Sequence, residues 1–353
     1  MVNNFKKNIE SIDSVELKKA KNLLGLGLIS GGLDSLLACL ILKLQNIDII
    51  GLNFKSPFCV CDKAYKSAEC GLNLYYDKLG INVHYLKKED DYLELVKSPK
   101  FGYGKSLNPC IDCRIYILKR AKKYAEEIKA DLIFTGEVLN QRPKSQNRQA
   151  LKIIEREAGL EGKLLRPLSA LLLEPTIFEK KGDIDRTKLF GINGRSRKIQ
   201  VSIAQRYGLL DSYYACGGCL LTDKGFSNRM KDYIKYNIKL KMVDISLLKI
   251  GRHFRFNRSK IIVGRNELEN KLLLQLKNPK DLIMEAKKVV GPITIIQGRI
   301  NHQIIKFAAK LTLRYSDSTK KYGKIVYGTT IDSLNESIIV SQIMEENLRS
   351  HII

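Results

Sequence analysis

The chain has 353 residues, 44% of them hydrophobic, and its 61 Lys and Arg against 37 Asp and Glu give a formal net charge of +24. That length and apolar content suit two or three globular domains with sizeable cores. No run approaches the roughly 20 apolar residues of a membrane span, and the charged, polar stretch from Met1 to Ala20 lacks the apolar core of a secretory signal, so a soluble cytoplasmic protein with no membrane partner is expected.

The first half alternates strand and helix patterns. Leu23–Ile29 predicts a strand, and Leu33–Gln45 an amphipathic helix. Between them lies Ser30-Gly31-Gly32-Leu33-Asp34-Ser35, a tight glycine turn running into a helix start. Gly31 and Gly32 can take positive φ and bring the backbone close to a ligand. Successive N–H groups and the positive helix end then hold a phosphate. Ser30 and Ser35 can add hydroxyl donors, and Asp34 can hold Mg²⁺ through water. The spacing is not that of a Walker A loop. Asp48–Phe54, Asn82–Leu86 and Asp131–Phe134 predict further strands; Lys63–Leu79 and Cys110–Ile128 predict helices. Alternating elements imply a parallel sheet, with ligands at the carboxyl ends of its strands. Ser30–Ser35, Phe54–Ser56 and Thr135–Glu137 all fall at such ends.

From about Glu161 the pattern changes to short helices and loops, with a helix over Gln200–Tyr207 and a turn at Cys216-Gly-Gly-Cys219. From about Tyr233 an α+β module is expected. It has a hairpin of His253–Phe256 and Ser259–Val263 around Asn257-Arg258, helices over Leu268–Leu276 and Gln303–Leu313, and strands over Val289–Ile296 and Gly323–Tyr327. The expected division is a nucleotide-binding domain over 1–160, an extension over 161–235 and a smaller α+β domain over 236–353.

Of the eight cysteines, Cys110 and Cys113 carry the clearest signal, in Asn108-Pro109-Cys110-Ile111-Asp112-Cys113. Two sulfurs at a helix N-terminus favour thiolate. Thiolates can hold zinc, an iron–sulfur cluster or a persulfide, or form a redox disulfide. Cys216 and Cys219 offer one or two more ligands. Four thiolates would close a tetrahedral site, whereas three would leave one iron of a [4Fe–4S] cluster open. Cys39 is expected in the core, and Cys59, Cys61 and Cys70 in structural roles or as a thiol group near the nucleotide. The net charge points to a polyanion such as RNA, which gains affinity by counterion release; a lysine-rich, AT-biased composition would give part of the same excess. The basic clusters supply Arg142, Lys144, Arg148, Arg195, Arg197 and Lys198 as candidate RNA contacts.

Together, the SGGLDS loop, the NPCIDC helix start and a strand ending Phe134-Thr135-Gly136 resemble the PP-loop ATP pyrophosphatase superfamily, and within it the tRNA thiouridine synthases. The 2-thiouridylase and iron–sulfur-dependent types are the nearest parallels, over roughly residues 20–235. The resemblance implies an α/β, Rossmann-like fold of the adenine nucleotide alpha-hydrolase kind and an ATP-dependent tRNA sulfurtransferase. Such an enzyme adenylates a uridine carbonyl oxygen and replaces it with sulfur from sulfide or a persulfide carrier. It implies ATP and Mg²⁺ at Ser30, Gly31, Gly32, Asp34, Ser35, Phe54 and Gly136, and catalytic roles for Asp34, Cys110, Cys113 and Cys219. It also implies a [4Fe–4S] cluster on Cys110, Cys113 and Cys219, with Cys219 preferred over Cys216 because GGCLLTD resembles a segment of related PP-loop proteins. Asn140–Pro143 and Arg195–Arg197 resemble the same group. Glu137 stands where the thiouridylases carry His, no THUMP-like N-terminal RNA module is visible, and the last third does not match their barrel. Its Ile262-Val263-Gly264-Arg265-Asn266 resembles an RNA-binding module of ribosome quality-control factors. The alternatives are a PP-loop amide ligase or nitrile-forming enzyme with a four-Cys zinc site, a non-catalytic RNA-binding factor, and a sulfur relay.

Overall fold

The computed structural model describes residues 23–60, 76–210 and 218–353. It divides into two compact units, Met1–Thr222 and Asp223–Ile353. The expected helix over Lys63–Leu79 lies mostly outside the described residues, as do Cys61, Cys70 and Cys216.

In the first unit, β1 (Leu24–Leu28), β2 (Asp48–Lys55), β3 (Asn82–Lys87), β4 (Leu132–Thr135) and β5 (Leu164–Leu165) form a sheet of order β3-β2-β1-β4-β5. All of its pairings are parallel. The chain steps outward from β1 to β3 and returns on the other side of β1 with β4. The crevice beyond the carboxyl end of β1 is therefore the topological switch point, where ligands of such sheets bind.

One face of the sheet is covered by α1 (Leu33–Lys43) and α6 (Lys198–Arg206). Leu36, Leu37, Ile41, Phe134 and Ile203 fill that layer. The opposite face carries α3 (Cys110–Glu127) and α4 (Arg148–Ala158), whose Ile115, Leu118 and Ile154 pack on Leu26 and Leu52. Apolar residues on both sheet faces are what a parallel strand buried on both sides requires. The described residues of this unit also include two short helices, α2 (Asp91–Lys97) and α5 (Ile177–Lys181). α4 was not read from the sequence, although Asn147 caps it through Ala150 N and Gly159 closes it in the left-handed region.

The second unit opens with α7 (Lys224–Tyr236) and builds a six-stranded sheet of order β11-β10-β8-β9-β7-β6. Its strands are β6 (Arg252–Phe256), β7 (Ser259–Val263), β8 (Leu282–Ala286), β9 (Thr294–Gln297), β10 (Tyr322–Gly328) and β11 (Glu336–Ser341), and its pairings are antiparallel. The β6–β7 hairpin turns where expected, with Asn257 at φ 53. α9 (His302–Arg314) packs Phe307 and Leu311 against Ile261, Met284 and Ile296. On the other side Leu273, from α8 (Glu267–Leu276), meets Ile262, Ile283 and Ile295. The expected strand over Val289–Ile296 is shorter and later: Lys288 turns at φ 62, and pairing begins only at Thr294, after Pro292. β8 and β11 were not read from the sequence. Among the described residues no helix is long and apolar enough to cross a membrane.

Candidate functional site

The site is built at the carboxyl edge of the parallel sheet. Between β1 and α1 the backbone turns at Gly31, whose φ of 79 lies in the left-handed region. Gly32 departs from expectation: as N-cap of α1 it is extended at φ −83, so only the first glycine needs the freedom of a missing Cβ. The loop is laced by its own serines. Gly32 N donates to Ser30 Oγ at 3.3 Å, Ser30 N to Ser35 Oγ at 3.3 Å, and Ser35 Oγ to Gly32 O at 2.8 Å. Ser35 Oγ also meets the buried Tyr76 hydroxyl at 3.1 Å. α1 starts without a side-chain cap, leaving its first N–H groups available to an anion.

Gly136, at the end of β4, lies against this turn. A Cβ there would fall 2.5 Å from Asp34 C, Asp34 O and Ser35 N. The missing side chain lets the end of β4 lie flat on the first turn of α1. The Asp34 carboxylate accepts from Gln141 Nε2 at 3.1 Å on Oδ2 and from Gln200 Nε2 at 3.2 Å on Oδ1. The Arg197 guanidinium stands 3.8 Å from Oδ2. Phe54 is half-buried against the core layer on the α3 side of the sheet.

Cys110 and Cys113 occupy the first turn of α3, where Cys113 N donates to Pro109 O at 2.7 Å. The buried Asp112 accepts from Lys100 N at 2.8 Å and Phe101 N at 3.1 Å, pinning the loop that precedes the helix. In that loop Gly104 faces Cys110, and a Cβ on it would lie 3.3 Å from Sγ. Lys88, just beyond β3, brings Nζ to 3.1 Å from Cys113 Sγ and lies 4.1 Å from the centre of the Tyr92 ring. Burial pushes the Cys113 thiol up, but the Lys88 ammonium, the Tyr92 hydroxyl and Arg114 outweigh it and hold the thiol below its ordinary value. Cys110 is raised, by burial and by the charge of Cys113, against a smaller pull from Arg142 and Arg114. Burial pushes Cys219 up to about 11. The three sulfurs lie close enough to shift one another's ionisation.

Cys59 pairs with Cys219 as an antiparallel bridge, flanked by Leu220 N to Phe58 O at 2.8 Å and Val60 N to Gly218 O at 3.2 Å. Sequence reasoning gave Cys59 a structural role or a place in a thiol group near the nucleotide; its backbone pairs with that of Cys219. Among the described residues no group of three or more His, Cys, Asp or Glu is arranged to hold a metal ion. The donor set is nevertheless of the soft kind, three cysteine sulfurs: Lys88 Nζ stands 3.1 Å from Cys113 Sγ and holds that thiol toward thiolate, Gly104 leaves room beside Cys110, and burial holds the Cys110 and Cys219 thiols up.

Glu137 joins the two halves of the site. Its carboxylate is buried and pairs with Arg114 Nε at 3.0 Å and Arg166 Nε at 3.1 Å, and Arg166 also pairs with Glu155. Burial would raise the Glu137 carboxyl, but the two guanidiniums and the Thr135 hydroxyl hold it below its usual range. Arg114 follows Cys113 and Glu137 follows Gly136, so one buried ion pair ties the cysteine helix to the strand end lying on the glycine loop.

The basic residues expected at RNA are all exposed: Arg142, Lys144, Arg148, Arg195, Arg197 and Lys198. Lys144 Nζ donates to Phe101 O at 3.3 Å and Arg148 to Leu172 O at 2.8 Å. Sequence reasoning did not identify Lys88, Tyr92, Arg114, Arg166 or Gln200, and it named Gln141 only within the Asn140–Pro143 segment. Gln200 had a signal, a polar residue on the apolar face of α6 with Ile203 and Ala204. Lys88 had none, because only the ends of β3 and α3 meeting in space give it a partner.

Two family models match the chain: residues 22–177 match the thiamine biosynthesis protein (ThiI) family and residues 251–352 the NFACT protein RNA binding domain. A tRNA-specific 2-thiouridylase MnmA of Proteus mirabilis is 25% identical over 213 residues, covering 58% of this chain and 55% of that protein. A probable tRNA sulfurtransferase of Methanocaldococcus jannaschii is 33% identical over 145 residues, covering 41% of this chain and 36% of that protein. The chain thus spans about half, or less, of these relatives' lengths. Among solved structures, the U34-tRNA thiolase NcsA of Methanococcus maripaludis with its [4Fe-4S] cluster aligns at 18% identity with a TM-score of 0.31, over 69% of this chain and 76% of that one. The resemblance of the first unit to PP-loop tRNA thiouridine synthases, read from its motifs, is borne out by the family and sequence matches.

Proposed function

We propose that this chain, whose first unit resembles the PP-loop tRNA thiouridine synthases, is an ATP-dependent tRNA sulfurtransferase. The observation that carries the reading is the short path between the glycine loop and the thiols: Gly136 lies on Asp34, and the next residue, Glu137, grips Arg114 beside Cys113. A nucleotide on the loop and a sulfur on the cysteines would then face one reacting atom.

In this reading the N–H groups of Gly31–Ser35 and the start of α1 bind the phosphates of ATP, and Asp34 orients Mg²⁺ through water. A uridine carbonyl oxygen attacks the α-phosphorus, pyrophosphate leaves, and AMP is carried on that oxygen. A sulfur nucleophile then adds at the carbon, and AMP departs with the oxygen. Arg142 and Arg114, both near the thiols, offset negative charge as sulfur approaches. Cys110, Cys113 and Cys219 are the residues that would hold a [4Fe–4S] cluster; such a group, when bound, supplies an open metal position for an inorganic sulfur ligand. Without it, Cys113 is the thiol its neighbours keep nearest to thiolate, held by Lys88 and Tyr92.

The second unit is assigned to RNA, supported by its match to an RNA-binding domain family. The exposed Arg142, Lys144, Arg148, Arg195 and Lys198 are assigned to the tRNA backbone near the site. A tRNA substrate would place the protein in the cytoplasm.

The test is thiolation of tRNA by protein purified without oxygen, with sulfide, ATP and Mg²⁺. Cys110→Ala, Cys113→Ala and Cys219→Ala should each abolish thiolated nucleosides, read by mass spectrometry, while leaving ATP binding unchanged. Wild-type rates in all three would defeat the thiol assignment. Absence of RNA-dependent pyrophosphate exchange in the wild type would defeat the adenylation step.

A further inference from the structure

Gln200 lies in the first turn of α6 and is fully buried, on the helix face that carries Ile203 and Ala204 into the core against α1. Its Nε2 donates to Asp34 Oδ1 at 3.2 Å. Its Oε1 is buried without a hydrogen-bond partner among the described residues. A buried carbonyl oxygen left unpaired is destabilising, and an apolar side chain of similar volume would avoid that cost. The position therefore carries a polar group at the expense of stability, and the interaction it gains is the one to Asp34. The other carboxylate oxygen is held from a different segment: Gln141, in the loop after β4, donates Nε2 to Oδ2 at 3.1 Å. Arg197, one turn before Gln200, adds its charge at 3.8 Å from the same oxygen. Asp34 is thus held through both oxygens by residues outside its own loop, and its side chain is only 14% exposed.

We propose that Gln200 and Gln141 are positioning residues of the nucleotide site: one amide on each oxygen fixes the Asp34 carboxylate, so that a metal–phosphate ligand meets it already oriented. A carboxylate with two donors at fixed points cannot rotate about its terminal torsion without breaking both bonds. Orienting it in advance removes an ordering cost from metal binding. The segments 140–141 and 197–200 thereby belong to the nucleotide site, in addition to any contact their basic neighbours make with RNA. This assignment rests on the nucleotide reading given above.

The test uses the full chain. Wild type, Gln200→Leu and Gln141→Ala are compared for Mg-ATP binding by calorimetry, at limiting and at saturating Mg²⁺, and for thermal unfolding without nucleotide. Gln200→Leu should unfold close to the wild-type temperature, because it removes the unpaired buried oxygen and the hydrogen bond to Asp34 together. It should bind Mg-ATP about three- to tenfold more weakly at limiting Mg²⁺, because Asp34 must then be ordered as the ligand binds, with the deficit shrinking at saturating Mg²⁺. Gln141→Ala, on a half-buried loop, should show the same Mg²⁺ dependence and keeps the test decisive if Gln200→Leu does not fold. Wild-type affinity in both variants, or a loss of affinity independent of Mg²⁺, would overturn the assignment. A wild-type protein that binds no Mg-ATP would overturn the nucleotide reading, and this assignment with it.

Discussion

Replacing Glu137 by Gln is the most informative single perturbation of the first unit. The carboxylate is buried and serves two guanidiniums, Arg114 at 3.0 Å and Arg166 at 3.1 Å. Breaking a buried pair by removing one partner costs about 3–5 kcal/mol, because the other charge stays buried and uncompensated. Two features pull Glu137→Gln toward the low end of that range: Arg166 keeps Glu155, and the Arg114 side chain is 26% exposed. Against this, the new amide turns an N–H toward one of the two cations. A loss of about 3 kcal/mol is therefore expected. The two units need not unfold together, so the measurement is hydrogen exchange on peptides covering β4 and α3 rather than one global transition. Those peptides should lose protection by about two orders of magnitude, while peptides of β7 and β9 stay unchanged. The wild-type pair also fixes a pH signature. The Glu137 carboxyl is held below its usual range in the folded state, so its stabilisation is complete above the ordinary carboxyl value and fades as pH falls through the lowered one. Protection within a factor of a few of wild type, with no change in this acid dependence, would refute the claim that Glu137 ties the cysteine helix to the loop.

Two further outcomes are expected. Gly136→Ala forces a Cβ to 2.5 Å from three backbone atoms of Asp34 and Ser35, none of them the end of a flexible side chain. Overpacking of this kind costs about 1–3 kcal/mol, and ATP binding should be lost with the displaced loop; a thermal-shift titration with unchanged midpoint and affinity would contradict it. In the second unit, burial lowers the Lys260 ammonium to about 7 despite Asp232 at 3.9 Å. The unfolded chain holds that proton to about pH 10.4, so between the two values the folded state binds fewer protons and stability rises with pH. Lys260→Met should flatten this rise and stabilise the unit near pH 6, measured by urea unfolding; an unchanged slope would show that Lys260 does not titrate there.

The glycine loop and the C-x-x-C helix start were legible as local structure, because each is set by a few adjacent residues. Ser30–Ser35 encode a turn and a helix start within six residues, and Cys110 and Cys113 share one helical turn, so spacing alone brings their functional atoms together. Strand–helix alternation likewise determined a parallel sheet, and Asn257-Arg258 determined the β6–β7 hairpin. What the tertiary structure decided involves partners far apart in the chain. Lys88 with Cys113, Cys59 with Cys219, Glu137 with Arg114 and Arg166, and Gln141 and Gln200 with Asp34 meet only because the order β3-β2-β1-β4-β5 brings separate strand ends to one edge. Even the glycine pair divided on this basis: a sequence allows both Gly31 and Gly32 a left-handed turn, but the geometry of strand exit and helix entry requires it of Gly31 alone. Local propensity fixes what a segment can become, whereas the ionisation of a thiol or the orientation of a carboxylate depends on charges and donors that folding brings within a few ångströms.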